Sequence, residues 1–354
     1  MKPIGTVAKQ RLAAALAVAL ASSGLYVAVA AQATPAGLLT YISNSRTLHP
    51  SVELANLNGS DPRRLGPGTS AALAPDGESV AVVQELAPPD DSTSELLVYP
   101  TSGGAGVKLY HCPGFLTVYG WSADSTLILA SCPHGLNDSG PLLVIAAGGG
   151  SVATIASGVI DGASFAASSS DDVVYALGAT QLLTAPVDLY TSSPTGSERR
   201  QITHGGISTS PVWGPSYIVF ARTTSRGTVK APINQLWSIA PNGSGARQLT
   251  HMAVNALADG LVPLAFSANG EHLLAGFTGT DQSASWAVNL AGKTTVPRRL
   301  IDSENAPDAI SRDGGTVLLT NGFEGQPTSV ESVPWGGGKP TVLAPHGANA
   351  SWNE

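Results

Sequence analysis

Charged residues are scarce in this sequence, and basic residues do not outnumber acidic ones. Only 12% of the 354 residues are charged, with 18 lysines and arginines against 25 aspartates and glutamates. The net charge of -7 repels a phosphate backbone, so nucleic acid is not an expected partner. The sequence also lacks a metalloprotease helix motif, an EF-hand loop and any recognisable nucleophile–base pair. We therefore predict no catalytic residue, no cofactor and no bound metal.

The composition disfavours a helical protein and favours an all-β protein. It includes 40 glycines and 25 prolines, which are turn-forming residues. Hydrophobic residues make up 43%, enough to bury a sizeable core. The chain is long for one domain, but a single large all-β domain can reach this length.

The N-terminus has the pattern of a targeting segment. A basic start is followed by residues 12–31 without a charge, and small-x-small cleavage patterns occur at 28–30 and 31–33. The pattern predicts a signal peptide over 1–33, followed by one domain over 34–354 of an exported protein. An uncleaved membrane anchor is the alternative, because the apolar stretch is long enough to span a bilayer. Membrane contact is expected only in that case.

A short motif returns along the chain at intervals of roughly 45–50 residues, the range of propeller-blade repeats. Its copies are ALAPDG (72–77), YGWSADS (119–125), SFAASSSDD (164–172), PVWGPS (211–216), LAFSANG (264–270), AISRDG (309–314) and the final NASWNE (349–354). In the clearest copy, strand PLAFS (263–267) precedes an Asn-Gly turn and strand HLLAGF (272–277). A third strand and a short basic fourth strand follow. Four antiparallel strands per repeat predict an all-β fold, a β-propeller of four-stranded blades.

The count of repeats predicts seven blades, with six as the alternative because the unit around 162–178 has lost its Asp-Gly corner. The strand at 37–42 has no inner strand before it, and the final strand ANASW has no second strand after it. The two incomplete repeats at the ends of the sequence together supply the strands of one blade. We therefore expect the C-terminal strand to join the first blade as its innermost strand and close the ring.

Two stretches carry a family resemblance. NGSDPRRL (58–65) and NGSGARQLT (242–250), together with the Trp/Phe-Ser-x-Asp-Gly corner, resemble the TolB-like propeller repeat. The resemblance covers 37–354 and implies a propeller without the α/β domain that precedes the propeller in the family's namesake. It implies a WD-like repeat protein. Together with the N-terminal segment, the sequence predicts an exported protein that is periplasmic, extracellular or associated with the cell envelope.

The basic fourth strand carries an arginine pair in three repeats: Arg63-Arg64, Arg199-Arg200 and Arg298-Arg299. An anion site is one interpretation. The pairs occupy a predicted sheet edge, where charges prevent edge-to-edge pairing, and neighbouring outer edges point apart. We therefore expect the pairs to protect the edge.

The two cysteines, Cys112 and Cys132, are predicted to form a disulfide, which suits an exported protein. The alternatives are free thiols or a zinc site that adds His111 and His134. The zinc site would require adjacent residues of an extended segment to reach one ion.

Four histidines follow outermost strands: His111, His204, His251 and His346. They fall where the chain turns inward over one face, and loops on that face commonly bind partners. We therefore predict a non-catalytic binding or scaffold propeller whose partner is an envelope or extracellular protein or a glycan. Solvated loop residues are the plainer interpretation of the histidines. The alternative function is a propeller lyase, lactonase or other hydrolase of a sugar-derived substrate, with a His-based site.

Overall fold

A computed structural model describes most of the chain after its N-terminal segment. The described residues are 37–47, 49–86, 93–135, 138–168, 170–179, 185–223, 233–252, 258–279, 282–291, 295–322 and 326–353. They belong to the unit Pro35–Glu354. The signal peptide or anchor expected over 1–33 lies outside the described residues. Among the described residues, no helix is long and apolar enough to cross a membrane.

The described residues form 27 strands. The first fourteen are β1 (Leu38–Ser43), β2 (Ser51–Asn56), β3 (Arg63–Pro67), β4 (Ser70–Leu73), β5 (Ser79–Glu85), β6 (Ser94–Pro100), β7 (Val107–Cys112), β8 (Thr117–Trp121), β9 (Leu127–Ser131), β10 (Gly140–Ala146), β11 (Val152–Phe165), β12 (Val173–Gly178), β13 (Val187–Ser192) and β14 (Arg200–Gln201). The others are β15 (Ser208–Trp213), β16 (Ile218–Thr223), β17 (Asn234–Ile239), β18 (Arg247–Gln248), β19 (Ala258–Phe266), β20 (His272–Gly279), β21 (Gln282–Asn289), β22 (Arg298–Arg299), β23 (Asn305–Ile310), β24 (Thr316–Asn321), β25 (Ser329–Pro334), β26 (Thr341–Pro345) and β27 (Gly347–Trp352).

Antiparallel backbone pairing groups these strands into four-stranded units, here called blades and described from the innermost strand outward. One parallel pairing, Asn234 opposite Gly260, also joins β17 to β19. Blade 1 is β27-β1-β2-β3, and blade 2 is β4-β5-β6-β7. Blade 3 is β8-β9-β10 with residues 152–158 of β11, and blade 4 is the rest of β11 with β12-β13-β14. Blades 5, 6 and 7 are β15-β16-β17-β18, β19-β20-β21-β22 and β23-β24-β25-β26. The predicted all-β propeller of four-stranded antiparallel blades is confirmed.

The degenerate repeat keeps its blade although its Asp-Gly corner is lost. Strand β11 runs without a link from the outer edge of blade 3 to the inner edge of blade 4. Its inner end connects to β12 through a turn closed by a hydrogen bond from Ala166 N to Asp172 O at 2.7 Å. This blade therefore needs no Asp-Gly corner.

Hydrophobic clusters fill the spaces between successive blades. Between blades 2 and 3, for example, Leu96 packs with Ile128, and neither side chain is exposed. The cluster between blades 7 and 1 contains Leu318 of blade 7 and Leu39 of blade 1. Each innermost strand also contacts the innermost strand of the next blade, from β4 around to β23, β27 and β4 again. Strand β27 pairs with β1, with Leu39 opposite Trp352. A count of seven blades and closure through the C-terminal strand fit this pairing.

The repeated Ser-x-Asp corner has a local physical cause. In blade 7, the buried Ser311 hydroxyl donates to Asp313 Oδ1 at 2.6 Å and accepts the N–H of Thr316 at 2.9 Å. The N–H of Gly315 also donates to Asp313 Oδ1, at 2.8 Å. The same contacts recur around Ser122, and around Ser267 with Asn269 in the position of the aspartate. These hydrogen bonds fix the turn between the innermost and second strands and lower the pKa of Asp313.

Candidate binding face and central channel

A disulfide joins two adjacent blades. Cys112 ends β7 in blade 2, Cys132 follows β9 in blade 3, and their sulfurs are 2.01 Å apart. Both side chains are buried in the cluster between these blades. The expected bridge is therefore present, and the two sulfurs bond to each other instead of serving as metal ligands.

The links that leave the outermost strands all lie on one face of the propeller, here called the linker face. Four antiparallel strands alternate in direction, so a link after the fourth strand leaves on the side opposite the Ser-x-Asp corners. The links follow β3, β7, β14, β18, β22 and β26.

Two buried threonines fix the links that carry His204 and His251. Thr203 Oγ1 donates to Asp188 Oδ1 at 3.0 Å and accepts the N–H of Leu189 at 2.8 Å. Thr250 repeats this arrangement one blade on, with Gln235 Oε1 and the N–H of Leu236, each at 2.9 Å. In each case the threonine is buried and the following histidine is exposed.

The other two histidines occupy different positions. His346 is exposed at the turn between β26 and β27, with φ at 64°. His111 is part of strand β7, which corrects the expectation that it lies on a link. Its backbone pairs with that of Glu95 in β6, and its Nδ1 is 3.7 Å from Glu95 Oε1, which also binds Lys108 Nζ at 3.0 Å. The strand continues through His111 because pairing with β6 extends to Cys112, where the disulfide holds the chain.

The structure places the four histidines at four different blade junctions. His111 is next to the junction of blades 2 and 3, His204 lies between blades 4 and 5, His251 between blades 5 and 6, and His346 between blades 7 and 1. Across the described residues, no group of three or more His, Cys, Asp or Glu side chains is arranged to hold a metal ion.

The arginine pairs lie at the outer edge, as expected. Arg63 and Arg64 lie on β3, Arg298 and Arg299 form β22, and Arg200 begins β14. All these positions are exposed. Arg199 precedes β14, and its guanidinium lies 4.4 Å from the ring centroid of Tyr190 in the same blade.

Sequence reasoning missed two acidic residues on the innermost strands. Asp308 lies on β23, where it accepts a 2.7 Å hydrogen bond from Thr320 Oγ1 and another from the N–H of Ala350 in β27. Burial raises the pKa of Asp308 to about 7. The Asp308 carboxyl thus joins blade 7 to the C-terminal strand of blade 1.

The second missed residue, Asp161, lies on the inner half of β11 and is exposed. Protein surrounds its carboxyl group closely enough for burial to raise its pKa. A usable signal was present in the stretches VIDGASF (159–165) and NAPDAI (305–310), where a single Asp stands among uncharged residues.

Several solved structures resemble this fold. TolB from Acinetobacter baumannii superposes with a TM-score of 0.52 at 14% identity, covering 91% of this chain and 67% of that chain. The fold is a TolB-like β-propeller. The propeller domain of the trilobed protease from Pyrococcus furiosus gives a TM-score of 0.64 at 11% identity, covering 87% of this chain and 92% of that one. An oligogalacturonate lyase in complex with manganese gives 0.55 at 13% identity, covering 87% and 84%.

The superpositions show that the fold is shared with these proteins. Sequence identities this low show nothing about the activity of this chain. No protein-family model and no curated protein match the chain. One contrast concerns ring closure. The Pyrococcus furiosus domain has an open velcro topology, whereas here β27 pairs with β1.

Proposed function

We propose that this protein is an exported, non-catalytic TolB-like propeller that binds a protein or a glycan of the cell envelope through its linker face. The observation that carries the proposal is the buried disulfide between Cys112 and Cys132. Disulfides persist in oxidising compartments and are rare in the cytosol. The bridge supports export, together with the sequence pattern of a signal peptide over 1–33.

The construction of the linker face supports a binding role. The buried hydroxyls of Thr203 and Thr250 fix the backbone of two links, so the exposed imidazoles of His204 and His251 project from a rigid base. A preorganised surface loses little conformational entropy when it binds a partner. The arginine pairs lie at separate blade edges, which suits them to preventing edge-to-edge pairing.

Position-specific photocrosslinking in the producing cell tests the binding face. A photoreactive residue is introduced in place of His204 or of His251, and, as the matched control, in place of Arg200 on the outer edge. We expect adducts of one defined mass from positions 204 and 251 and none from position 200. Adducts from position 200 alone would move the binding surface to the outer edge.

A double variant tests whether the histidines contribute to binding. We expect His204→Ala/His251→Ala to fold normally and to lose the crosslinked partner when the photoreactive residue is placed at His346. Arg199→Ala/Arg200→Ala is the control and should keep the partner. Metal analysis of the purified protein addresses the lyase or lactonase alternative, because bound manganese or zinc with turnover of a sugar acid would favour an enzyme.

A further inference from the structure

The side chain of Arg222 lies against the link that carries His204. Arg222 is half-buried near the end of β16, where Ser208 of β15 is its direct cross-strand partner. Within the described residues, no carboxylate or other hydrogen-bond acceptor pairs with the Arg222 guanidinium. A guanidinium presents five N–H donors and no acceptor. A half-buried charge without a partner is costly, and an anionic ligand would offset that cost.

The backbone of the link packs directly on the guanidinium. A Cβ atom added to Gly206 would lie 2.8 Å from Arg222 Nη2 and 3.0 Å from Arg222 Nε. Glycine therefore leaves the space that the guanidinium occupies. The link is fixed by hydrogen bonds from Val187 N to Gly206 O at 2.9 Å and from Thr223 N to Ile207 O at 3.2 Å. The guanidinium thus rests against backbone that is itself held in place.

Two more hydrogen-bond donors beside Arg222 have no acceptor. The Arg222 guanidinium lies over the ring of Trp237, with its carbon 5.3 Å from the ring centroid. Trp237 Nε1 is buried and has no hydrogen-bond partner among the described residues. Ser208 is fully buried, and its Oγ has no partner in the same part of the chain. Directly opposed residues of two strands lie on one face of the sheet, so these donors point to a ligand that accepts hydrogen bonds.

The charge of Asp188 limits the ligand to a single negative charge. The Asp188 carboxylate holds the same link by accepting hydrogen bonds from Thr203 Oγ1, Gln201 Nε2 and Gly205 N at 3.0, 3.1 and 3.2 Å. It makes no ion pair with Arg222, both of which are described residues. A carboxylate this close in the fold repels a phosphate dianion more strongly than a monoanion. One guanidinium therefore matches one carboxylate of a ligand.

We infer that Arg222 binds the side-chain carboxylate of an aspartate or glutamate of a protein partner, at the junction of blades 4 and 5 on the linker face. The inference rests on the proposed function, because it names the group that this face recognises. Guanidinium–carboxylate pairs are frequently bidentate, with two parallel N–H···O bonds. A carboxylate on a flexible side chain can reach a half-buried guanidinium, whereas a sugar acid carries its carboxylate directly on a bulky ring.

The test is an NMR titration of the full chain with the capped peptide acetyl-GSESG-amide. The signals followed are the indole N–H of Trp237 and the backbone amide of Gly206. The indole N–H of Trp121, which donates to Ala72 O in another part of the ring, is the internal reference. Acetyl-GSQSG-amide has the same shape without the charge and is the ligand control, and galacturonate is the sugar-acid probe.

Four variants separate the geometry of the site from its charge. Arg222→Gln removes the charge, and Arg222→Lys keeps the charge but lacks the planar fork. Gly206→Ala keeps the arginine and displaces its guanidinium, and it should fold normally because only the end of a flexible side chain has to move. Arg247→Gln removes an exposed arginine from the outer strand β18 of the same blade and is the matched control.

We expect the glutamate peptide to shift the Trp237 and Gly206 signals in a saturable way, and the glutamine peptide to bind about tenfold or more weakly. Arg222→Gln should weaken binding of the glutamate peptide by about tenfold or more, and Arg222→Lys by about threefold or more. Gly206→Ala should also weaken binding although it changes no charge. Arg247→Gln should change it by less than about twofold, because screening weakens a remote charge. Urea unfolding of each variant checks that it is folded.

Three outcomes would overturn the site. In the first, Arg222→Gln binds the glutamate peptide as the wild type does. In the second, Arg247→Gln loses as much affinity as Arg222→Gln, so that general charge accounts for the binding. In the third, galacturonate shifts the Trp237 and Gly206 signals and the glutamate peptide does not, which would assign the site to a sugar acid. If position 204 gives crosslinked adducts in the cell and the peptide does not bind, the linker-face proposal stands and the carboxylate site alone is wrong.

Discussion

The hydroxyl of Thr320 donates to Asp308 Oδ2 at 2.7 Å and accepts the N–H of Asn349 at 2.9 Å. One hydroxyl group thus links β23 and β24 of blade 7 to the C-terminal strand β27, which is the innermost strand of blade 1. The N–H of Ala350 completes the contact with the Asp308 carboxyl. The hydrogen bonds that attach β27 to blade 7 therefore include the carboxyl group of Asp308, whose pKa is raised to about 7.

The first prediction is that Asp308→Asn removes a component of the pH dependence of stability. Burial raises the pKa of Asp308 from 3.8 to about 7, so the folded state binds the proton more tightly than the unfolded state. The resulting stabilisation is complete below the unfolded pKa and is lost as pH rises through about 7. Acidification from about pH 8 to about pH 6 should raise the free energy of unfolding by roughly 1 kcal/mol more in the wild type than in the variant. Urea unfolding at the two pH values measures this difference.

Asp313→Asn is the control for that measurement. The pKa of Asp313 is lowered by the hydrogen bonds of its turn, so its contribution has the opposite sign and is lost only as pH falls through that low pKa. Between pH 6 and pH 8 its removal should leave the pH dependence unchanged. An unaltered pH dependence in Asp308→Asn would contradict the assignment.

The second prediction is that deletion of 347–354 destabilises the protein far more than the loss of a tail. Strand β27 pairs with β1, and its Ala348 and Ala350 are buried. We expect a loss above about 4 kcal/mol, because a whole innermost strand and its core contacts disappear. Denaturant unfolding measures it. Asn353→Ala, which removes only the acceptor for the N–H of Leu38, should cost about 1 kcal/mol. Equal midpoints for the deletion and the point variant would argue against closure through β27.

The third prediction concerns the bridge between Cys112 and Cys132, which are 20 residues apart. Reduction should lower the free energy of unfolding by about 3 kcal/mol in the chain-entropy model. Unfolding midpoints with and without reductant measure the effect. Cys112→Ser/Cys132→Ser is the control and should not respond to reductant. Alkylation of both cysteines in folded protein from an oxidising compartment would rule out the bridge.

The fourth prediction separates the threonine of the Gln-Leu-Thr-His stretch from the histidine. Thr250→Val removes a buried hydroxyl, which leaves the N–H of Leu236 without its acceptor and Gln235 Oε1 with the N–H of Met252 alone. It should cost about 1–3 kcal/mol in unfolding free energy. His251→Ala changes an exposed side chain and should stay within about 0.5 kcal/mol. The reverse order of the two values, measured by urea unfolding, would mean that the histidine supports the fold.

The sequence alone was sufficient for the repeat and its corners, because the interactions that define them are local. Ser311 contacts residues two and five positions further along the chain, so this corner can be recognised within the sequence of a single repeat. The pairing of the two cysteines could also be predicted from the sequence, because both residues fall where predicted strands reach the same face of the propeller. The half-repeats at the two ends of the chain likewise indicated that β27 would pair with β1.

The tertiary structure decided the position of His111 and the register shifts of the innermost strands. His111 belongs to a strand because of its pairing with Glu95 and the disulfide to the next blade, neither of which is local in sequence. The register of β11 against β12 shifts between Ile160 and Ala163, and the register of β8 against β9 shifts between Val118 and Gly120. Register shifts depend on how two strands pack together as well as on the residues of either one. Side-chain direction on the innermost strands therefore emerged only when the blades were assembled.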